Sequence, residues 1–401
     1  MPDIIVKDRK GSDVIFRNVA AIQLNTVDGE KKLFTADGGD FIVTYMNDDG
    51  SEMLYSKSIM YGDTCGDVIA LGLLAEPSKE STDTAEYSFL GWSASVGGTV
   101  DNSVFETVTE NKTVYAVFNA IIILAKGECG ETANWKLLDS GIFMVLGEGD
   151  MADYASVDVR PWNTYKSLIK EVTITEGITS VGEFSFRDCT NIKSVNIPDG
   201  VTSIDKNAFN GCTGLTSVDL PDSLTTIGYG AFAKCTGITS ITIPDSVTSL
   251  DQWAFNAAGL TAIAVPGSIN KISDNAFNGC KSLKTATISE GVTDMGNIAF
   301  AYCPSLTSVS LPDSLSIIGS NCFNGCTALT QITIPKNVTL IRSRAFYGCS
   351  NLSKVTFEDT SGWSVATSTS ATNWTSVNVT NASTAAQYLR STYVEYVWKK
   401  Q

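Results

Sequence analysis

The sequence contains no histidine. That removes the side chain most used for proton transfer near neutral pH, and it leaves no partner for a mixed cysteine–histidine zinc site. A Cys-x-x-Cys pair, a glycine-rich phosphate loop and an EF-hand pattern are missing as well. Long apolar runs are also missing. The longest, Ala120-Ile-Ile-Ile-Leu-Ala125, falls far short of the roughly 20 residues of a spanning helix, so no membrane insertion is expected. Basic residues are scarce: Lys and Arg total 28 against 43 Asp and Glu, a net charge of −15. Such a chain is a poor partner for nucleic acid or an anionic lipid surface. Charge begins at Asp3 and no apolar segment follows a basic start, so no secretory signal is expected if this start is native.

What is present is a globular composition, 401 residues with 43% apolar, enough for several domains. A repeat dominates it. Phe186, Phe209, Phe232, Phe255, Phe277, Phe300, Phe323 and Phe346 recur at spacings of 23, with one of 22. Three residues after most of them stands a cysteine: Cys189, Cys212, Cys235, Cys280, Cys303, Cys326 and Cys349. The fourth unit, Phe255-Asn-Ala-Ala-Gly-Leu260, is one residue short and lacks the cysteine. Each unit reads Leu-x-x-Val-x-Leu-Pro, a turn, then x-x-Ile-x-x-x-Ala-Phe-x-x-Cys. The Val-x-Leu alternation predicts a short strand, which the proline ends by withholding a ladder donor. One unit cannot bury its own apolar face. Stacked units form a continuous core, at roughly 4.8 Å per coil.

These units resemble leucine-rich repeats of the BspA type, found on surfaces of bacteria and some protists. The resemblance covers residues 171–357 and implies a β-rich, weakly curved solenoid without long convex helices. Gly127-Glu-Cys-Gly130, Trp135-Lys-Leu137, Gly147-Glu-Gly-Asp-Met151 and Pro161-Trp162 are similar to that family's lead-in, which makes 120–170 the expected N-terminal cap. Residues 358–401, with Trp374, Ala385-Ala-Gln-Tyr388-Leu389 and Tyr396-Val-Trp398, resemble its closing cap, with a short helix expected near 383–390. Further upstream, Phe41-Ile-Val-Thr-Tyr45, Phe89-Leu-Gly-Trp92 and Asn111-Lys-Thr-Val-Tyr-Ala-Val-Phe118 resemble a Listeria–Bacteroides repeat module, although Ala70 to Glu86 departs from its spacing. That resemblance implies a small β-grasp-like spacer over 41–119. Residues 1–40 alternate as a β arm, and their opening Ile4-Ile-Val-Lys-Asp8 is similar to the start of Gram-positive phage structural proteins. The expected fold is therefore mainly β: about eight 23-residue coils with caps, preceded by a β-grasp-like domain and a β arm.

The outward strand positions are Asn196, Asp219, Thr242, Ala264, Thr287, Ser310, Thr333 and Thr356. Thr suits a strand for its branching alone, but the column as a whole is the candidate binding face. Trp253, in the short unit, reads either as an exposed anchor for a partner or as a filler of the missing residue's space. Tyr229, Tyr302 and Tyr347 are expected on convex edges. The cysteines read as a ladder of buried thiols rather than as disulfides or a metal site. Cys65 and Cys129 have no place in that ladder, and Cys322 precedes the Cys326 that belongs to it. Asp222, Asp245 and Asp313 recur with the Pro-Asp turn, which offers no catalytic set.

Charge is uneven: residues 1–120 hold 9 basic and 19 acidic residues, and residues 171–357 hold 11 and 14. The nearly neutral, hydroxyl-rich repeats suit sugars or peptide surfaces. The expectation is a non-enzymatic receptor-binding protein without cofactor or metal, placed on a phage virion by its N-terminal arm. It would contact other virion proteins there and bind a bacterial-surface protein or glycan, or a mucus glycan, as a possible trimer. The alternatives are a bacterial cell-surface adhesin and a sugar-binding appendage of a surface enzyme.

Overall fold

The computed structural model describes residues 4–7, 13–16, 21–25, 31–35, 40–60, 77–105 and 112–400. Cys65 and residues 70–76 of the irregular stretch lie outside them. The chain divides into two compact units, Met1–Ile123 and Leu124–Gln401.

In the first unit, Ile4–Lys7 pairs antiparallel with Asp13–Phe16, and Ala21–Asn25 with Lys31–Thr35. Asp40–Met46 turns through Asn47-Asp-Asp-Gly50 into the antiparallel strand Met53–Met60. Its other edge runs parallel to the start of Lys112–Glu128, which pairs antiparallel with Ala85–Ser93. Val43, Tyr45, Trp92, Val104, Val114 and Ala116 form the buried core of this sheet. The alternation of Val43 and Tyr45 inward is the period-two pattern of a half-buried strand.

The second unit is a solenoid. Its eight coils, numbered here 1 to 8, begin at Glu171, Ser194, Ser217, Ser240, Ala262, Thr285, Ser308 and Gln331. Each starts on a first strand column, turns, crosses a two- to four-residue second column, and returns through a corner that carries the phenylalanine. The turn closes on proline: the N–H groups of Val201, Leu224 and Val338 donate to the carbonyls of Pro198, Pro221 and Pro335. In the first column Glu171–Ile174, Ser194–Asn196 and Ser217–Asp219 pair parallel and in register. So do Ala262–Val265, Thr285–Ile288 and Ser308–Ser310, and then Gln331–Ile334 with Lys354–Phe357.

The corners hold the register. Successive phenylalanine rings stack with centroids 5.0 to 5.9 Å apart. The residues two before and two after each phenylalanine have left-handed backbone, Asn207 and Gly211 in coil 2 and Asn321 and Gly325 in coil 7 among them. Three N–H groups of each corner in coils 1 to 7 point to the following coil: Asn207, Phe209 and Gly211 donate to the carbonyls of Tyr229, Ala231 and Ala233. The cysteines complete this lattice. The thiols of Cys212, Cys235, Cys326 and Cys349 each donate, at 3.1 Å, to the carbonyl of the phenylalanine one coil back. The carbonyls of Phe186, Phe209 and Phe323 already accept the N–H of the cysteine in their own coil, so there the thiol takes the second lone pair. Cys280 and Cys303 do the same toward Phe255 and Phe277. Cys189 is buried in coil 1 and Cys322 in the place of the alanine that precedes the phenylalanine in coils 2 to 6 and 8. All described cysteines, Cys129 included, are free thiols.

Coil 4 departs from the pattern. Ala258 stands where the thiol would be, and one residue is missing between Phe255 and Leu260. The ring stack continues through it at 5.5 and 5.6 Å. The strands do not. Ser240–Ile243 forms no strand, and second-column pairing stops between Ser249–Leu250 and Lys271–Ile272. Thr242 is therefore exposed but does not sit on a strand, contrary to the expectation. Corner stacking thus runs through the short coil while both ladders are interrupted at it.

Both ends are capped. Ile142–Gly147 pairs parallel with coil 1, and Ala133–Leu138 covers it antiparallel. Trp162 substitutes for a missing corner. Its ring lies 6.0 Å from Phe186, and its Nε1 donates to the Ser185 carbonyl at 2.8 Å. Arg160, 2% exposed, donates from Nη1 to the carbonyls of Phe184 and Ser185 at 3.0 and 3.1 Å. At the far end Val397–Lys400 and Trp363–Ala366 extend the second column antiparallel from Leu340–Ile341. The helix lies at Ala382–Gln387, its first turn capped by the Asn381 side chain accepting from Thr384 N–H. The Arg344 N–H donates to Val394, and the Arg344 side chain pairs with Glu395 at 2.6 Å.

Candidate ligand-binding face

The first column alternates as a half-buried strand must. Val195, Val218, Ile263, Ala286, Ile332 and Val355 point into the core and are buried. Asn196, Asp219, Thr242, Ala264, Thr287, Ser310, Thr333 and Thr356 all lie exposed between them.

Two kinds of hydroxyl line this side of the solenoid. One kind sits at the entrance to each strand and is occupied by the backbone. Thr216, Thr261, Thr307 and Ser353 donate to the carbonyls of Lys193, Thr239, Lys284 and Thr330 in the preceding coil. Part of the Ser and Thr richness is thus structural. The other kind is the outward column. The hydroxyls of Thr242, Thr287, Ser310, Thr333 and Thr356 make no hydrogen bond to protein among the described residues. Their bonding capacity is turned to solvent. A row of such groups, one per coil, can meet successive polar groups of a long ligand.

The column is not uniform. Between Ser308–Ser310 and Gln331–Ile334 the ladder is broken. A groove of about 560 Å³ opens there, with Ser310, Thr333 and Thr356 on its walls and Lys354 and Glu358 at its far side. Val309 is only half-buried, unlike its counterparts in most other coils, so the groove reaches the edge of the core. The volume is that of an ordinary ligand site.

Trp253 lies on the corner of coil 4, away from this column. It is half-buried with left-handed backbone, φ 64°, at a position that is asparagine in coils 2, 5 and 7. The structure therefore does not bring it together with the threonines. Tyr229, Tyr302 and Tyr347 are also on corners, 41%, 57% and 49% exposed. The left-handed position of Tyr302 was not anticipated. Its signal was the glycine at the same place in coils 2, 5, 7 and 8.

Burial raises the thiols of the ladder and that of Cys129 in the N-terminal cap. Cys189 is pushed up to about 11, and Cys129, Cys235 and Cys349 to about 12. These are inert groups rather than nucleophiles. Among the described residues no cluster of three or more metal-ligating side chains occurs.

Residues 164–284 and 253–362 match the family model of the BspA type leucine rich repeat region, in six copies. The solenoid matches the BspA type. Among solved structures, a leucine-rich repeat protein from Eubacterium ventriosum is similar at 21% identity, over 56% of this chain and 94% of that one, with a TM-score of 0.26. A leucine rich cell surface protein from Faecalibacterium prausnitzii aligns at 19% identity over 57% of this chain and 94% of its own, TM-score 0.27. The T. pallidum leucine rich repeat protein aligns at 21% identity over 56% and 91%, TM-score 0.39. No curated protein matches the chain significantly. The BspA-type match covers all eight coils.

Proposed function

We propose that this protein is a non-enzymatic adhesion protein of the bacterial cell surface. In this reading the outward column of the BspA-type solenoid binds a surface protein or glycan, or a mucus glycan. One observation carries it: a row of exposed hydroxyls that the fold itself does not use, ending in a groove between coils 7 and 8. The near neutrality of the repeats supports an uncharged ligand. The family match favours the cell surface over a virion, which rests only on the short Ile4–Asp8 resemblance. The order Met53–Met60, Asp40–Met46, Lys112–Glu128, Ala85–Ser93, with the middle two parallel, supports reading 41–119 as a β-grasp-like spacer. On this reading 1–40 is an arm, 120–170 and 358–401 are caps, and 171–357 is the binding part.

The test is adhesion of beads coated with the full chain to mucin and to intact bacterial cells. Thr287, Ser310 and Thr333 changed together to Lys should abolish retention, because three cations then fill the row. Retention equal to that of the unchanged chain sinks the strand-face reading. Immunogold label on phage particles instead of cells would restore the virion.

A further inference from the structure

Every large apolar or aromatic side chain that coils 1 to 8 leave exposed is a tyrosine on the corner side: Tyr229, Tyr302 and Tyr347. Tyr302 stands out among them. It has φ 55°, in a column held by Gly211, Gly279, Gly325 and Gly348 in four other coils and by Asp188, Lys234 and Ala257 in the remaining three, and it is the one aromatic of that column. A side chain with a β-carbon is strained there. The ring does not fill the core, being 57% exposed, and its hydroxyl bonds to no protein group among the described residues. Three other coils hold the same backbone with Asp188, Lys234 and Ala257, so the fold itself does not call for an aromatic here.

The surroundings of Tyr302 indicate what it meets. Its ring lies along Gly325 of the next coil, where a β-carbon would sit 3.1 Å from Cδ1. Gly348 continues the same column, so bare backbone extends beyond the ring. Tyr347, 49% exposed, borders that shelf two coils from Tyr302. The stacked rings of Phe300, Phe323 and Phe346 set this axial spacing, with centroids 5.9 and 5.4 Å apart. The two tyrosines thus stand roughly 10 Å apart along the axis, two strand spacings. The amide of Asn324 between them is held by Asn321 at 3.0 Å. The Arg344 guanidinium is paired with Glu395 and lies over the Tyr347 ring, 6.0 Å from its centroid.

We propose that Tyr302 and Tyr347 form a binding platform for an extended, uncharged β-linked polysaccharide. Such a chain turns the same face of alternate sugar rings to one side, at a repeat close to the two-coil spacing. Each aromatic face stacks on one apolar sugar face, and the glycine shelf lets the chain lie against the backbone between them. The platform is on the corner side, so it does not depend on the strand-face reading.

The experiment is calorimetric titration of the full chain with a β-1,4-linked N-acetylglucosamine hexamer and a β-1,4-linked glucose hexamer, with an α-1,6-linked glucose hexamer as control. At least one β-linked hexamer should bind, and the control should not. Tyr302→Gly should weaken binding at least tenfold while raising the melting temperature, since glycine is the residue four other coils use. Tyr347→Ala should weaken it similarly, and Tyr302→Phe should keep it within twofold. The strand-face lysine variant should bind unchanged. The proposal is overturned if neither β-linked hexamer binds, if Tyr302→Gly binds like the unchanged chain, or if Tyr302 is needed only for a protein partner.

Discussion

Arg160 is the place to test how the solenoid ends. Coil 1 has no preceding corner to donate to its carbonyls. Arg160 supplies the donors instead, from Nη1 to Phe184 and Ser185 and from Nη2 to Asn163 Oδ1 at 3.3 Å. Its Nε faces no acceptor, so part of the gain is offset by a buried N–H. Hydrogen bonds from a charged donor contribute about 1.5–3 kcal/mol each. Arg160→Ala leaves no charge behind, and Arg187 N–H and Trp162 Nε1 still donate to the two carbonyls, so it should cost about 1.5–3 kcal/mol. Arg160→Lys keeps the charge but loses the planar fork, and should cost about half as much. The loss should also be local, because solenoid stability is roughly a sum of neighbour terms. Native-state hydrogen exchange measures this directly. The N–H groups of Phe186 and Asn207 should lose protection, while those of Phe300 and Asn321 keep it. A loss of under about 1 kcal/mol, or equal loss of protection in all coils, refutes the capping role.

Two further outcomes follow from the corners. Burial pushes the Cys189 thiol up to about 11 and those of Cys235 and Cys349 up to about 12 in the folded chain, against about 8.5 when unfolded. The unfolded state therefore loses its protons first. Stability is full below about pH 8.5 and falls as pH rises toward the folded values, by about 1.4 kcal/mol per thiol per pH unit. Urea midpoints at pH 8 and pH 10 should differ sharply, and Cys235→Ala, after the example of Ala258, should flatten the slope; equal midpoints contradict the burial argument. Separately, Ala257→Gly and Ala258→Cys with a threonine inserted before Gly259 give coil 4 the corner of coil 2. Protection of the amides of residues 240–243 should then appear and the melting temperature rise, whereas unchanged exchange would show that the missing residue is not what parts the ladders.

The coils were legible because each carries the same apolar positions in the same order, and stacking leaves one way to bury them. The Phe and Cys columns and the short coil 4 are all visible as spacings. Less was visible where geometry is set by the neighbouring coil. Nothing local shows that Thr216 donates to backbone whereas Thr287 does not, since both precede or follow a valine or alanine in the same texture. Thr242 looks like its column mates, yet its coil is the one whose first-column segment forms no strand. Arg160 is a lone arginine in an irregular stretch, and its role exists only because coil 1 has no predecessor. The left-handed backbone of Trp253 and Tyr302 shows only when glycine and asparagine are counted down each column.

The backbone hydrogen bonds of the corners run one way along the solenoid and those flanking the strand columns run the other. Corner N–H groups donate toward the C-terminal end, whereas those of Thr202, Gly228, Gly296 and Gly319 donate toward the N-terminal end, so the peptide dipoles of the two sides oppose one another and each side has its own polarity. At coil 1 the corner column ends in carbonyls, and there Arg160 brings donors. At coil 8 it ends in an N–H, that of Arg344, and there Val394 brings an acceptor. The two caps therefore complement opposite ends of one column. Neither could stand in for the other.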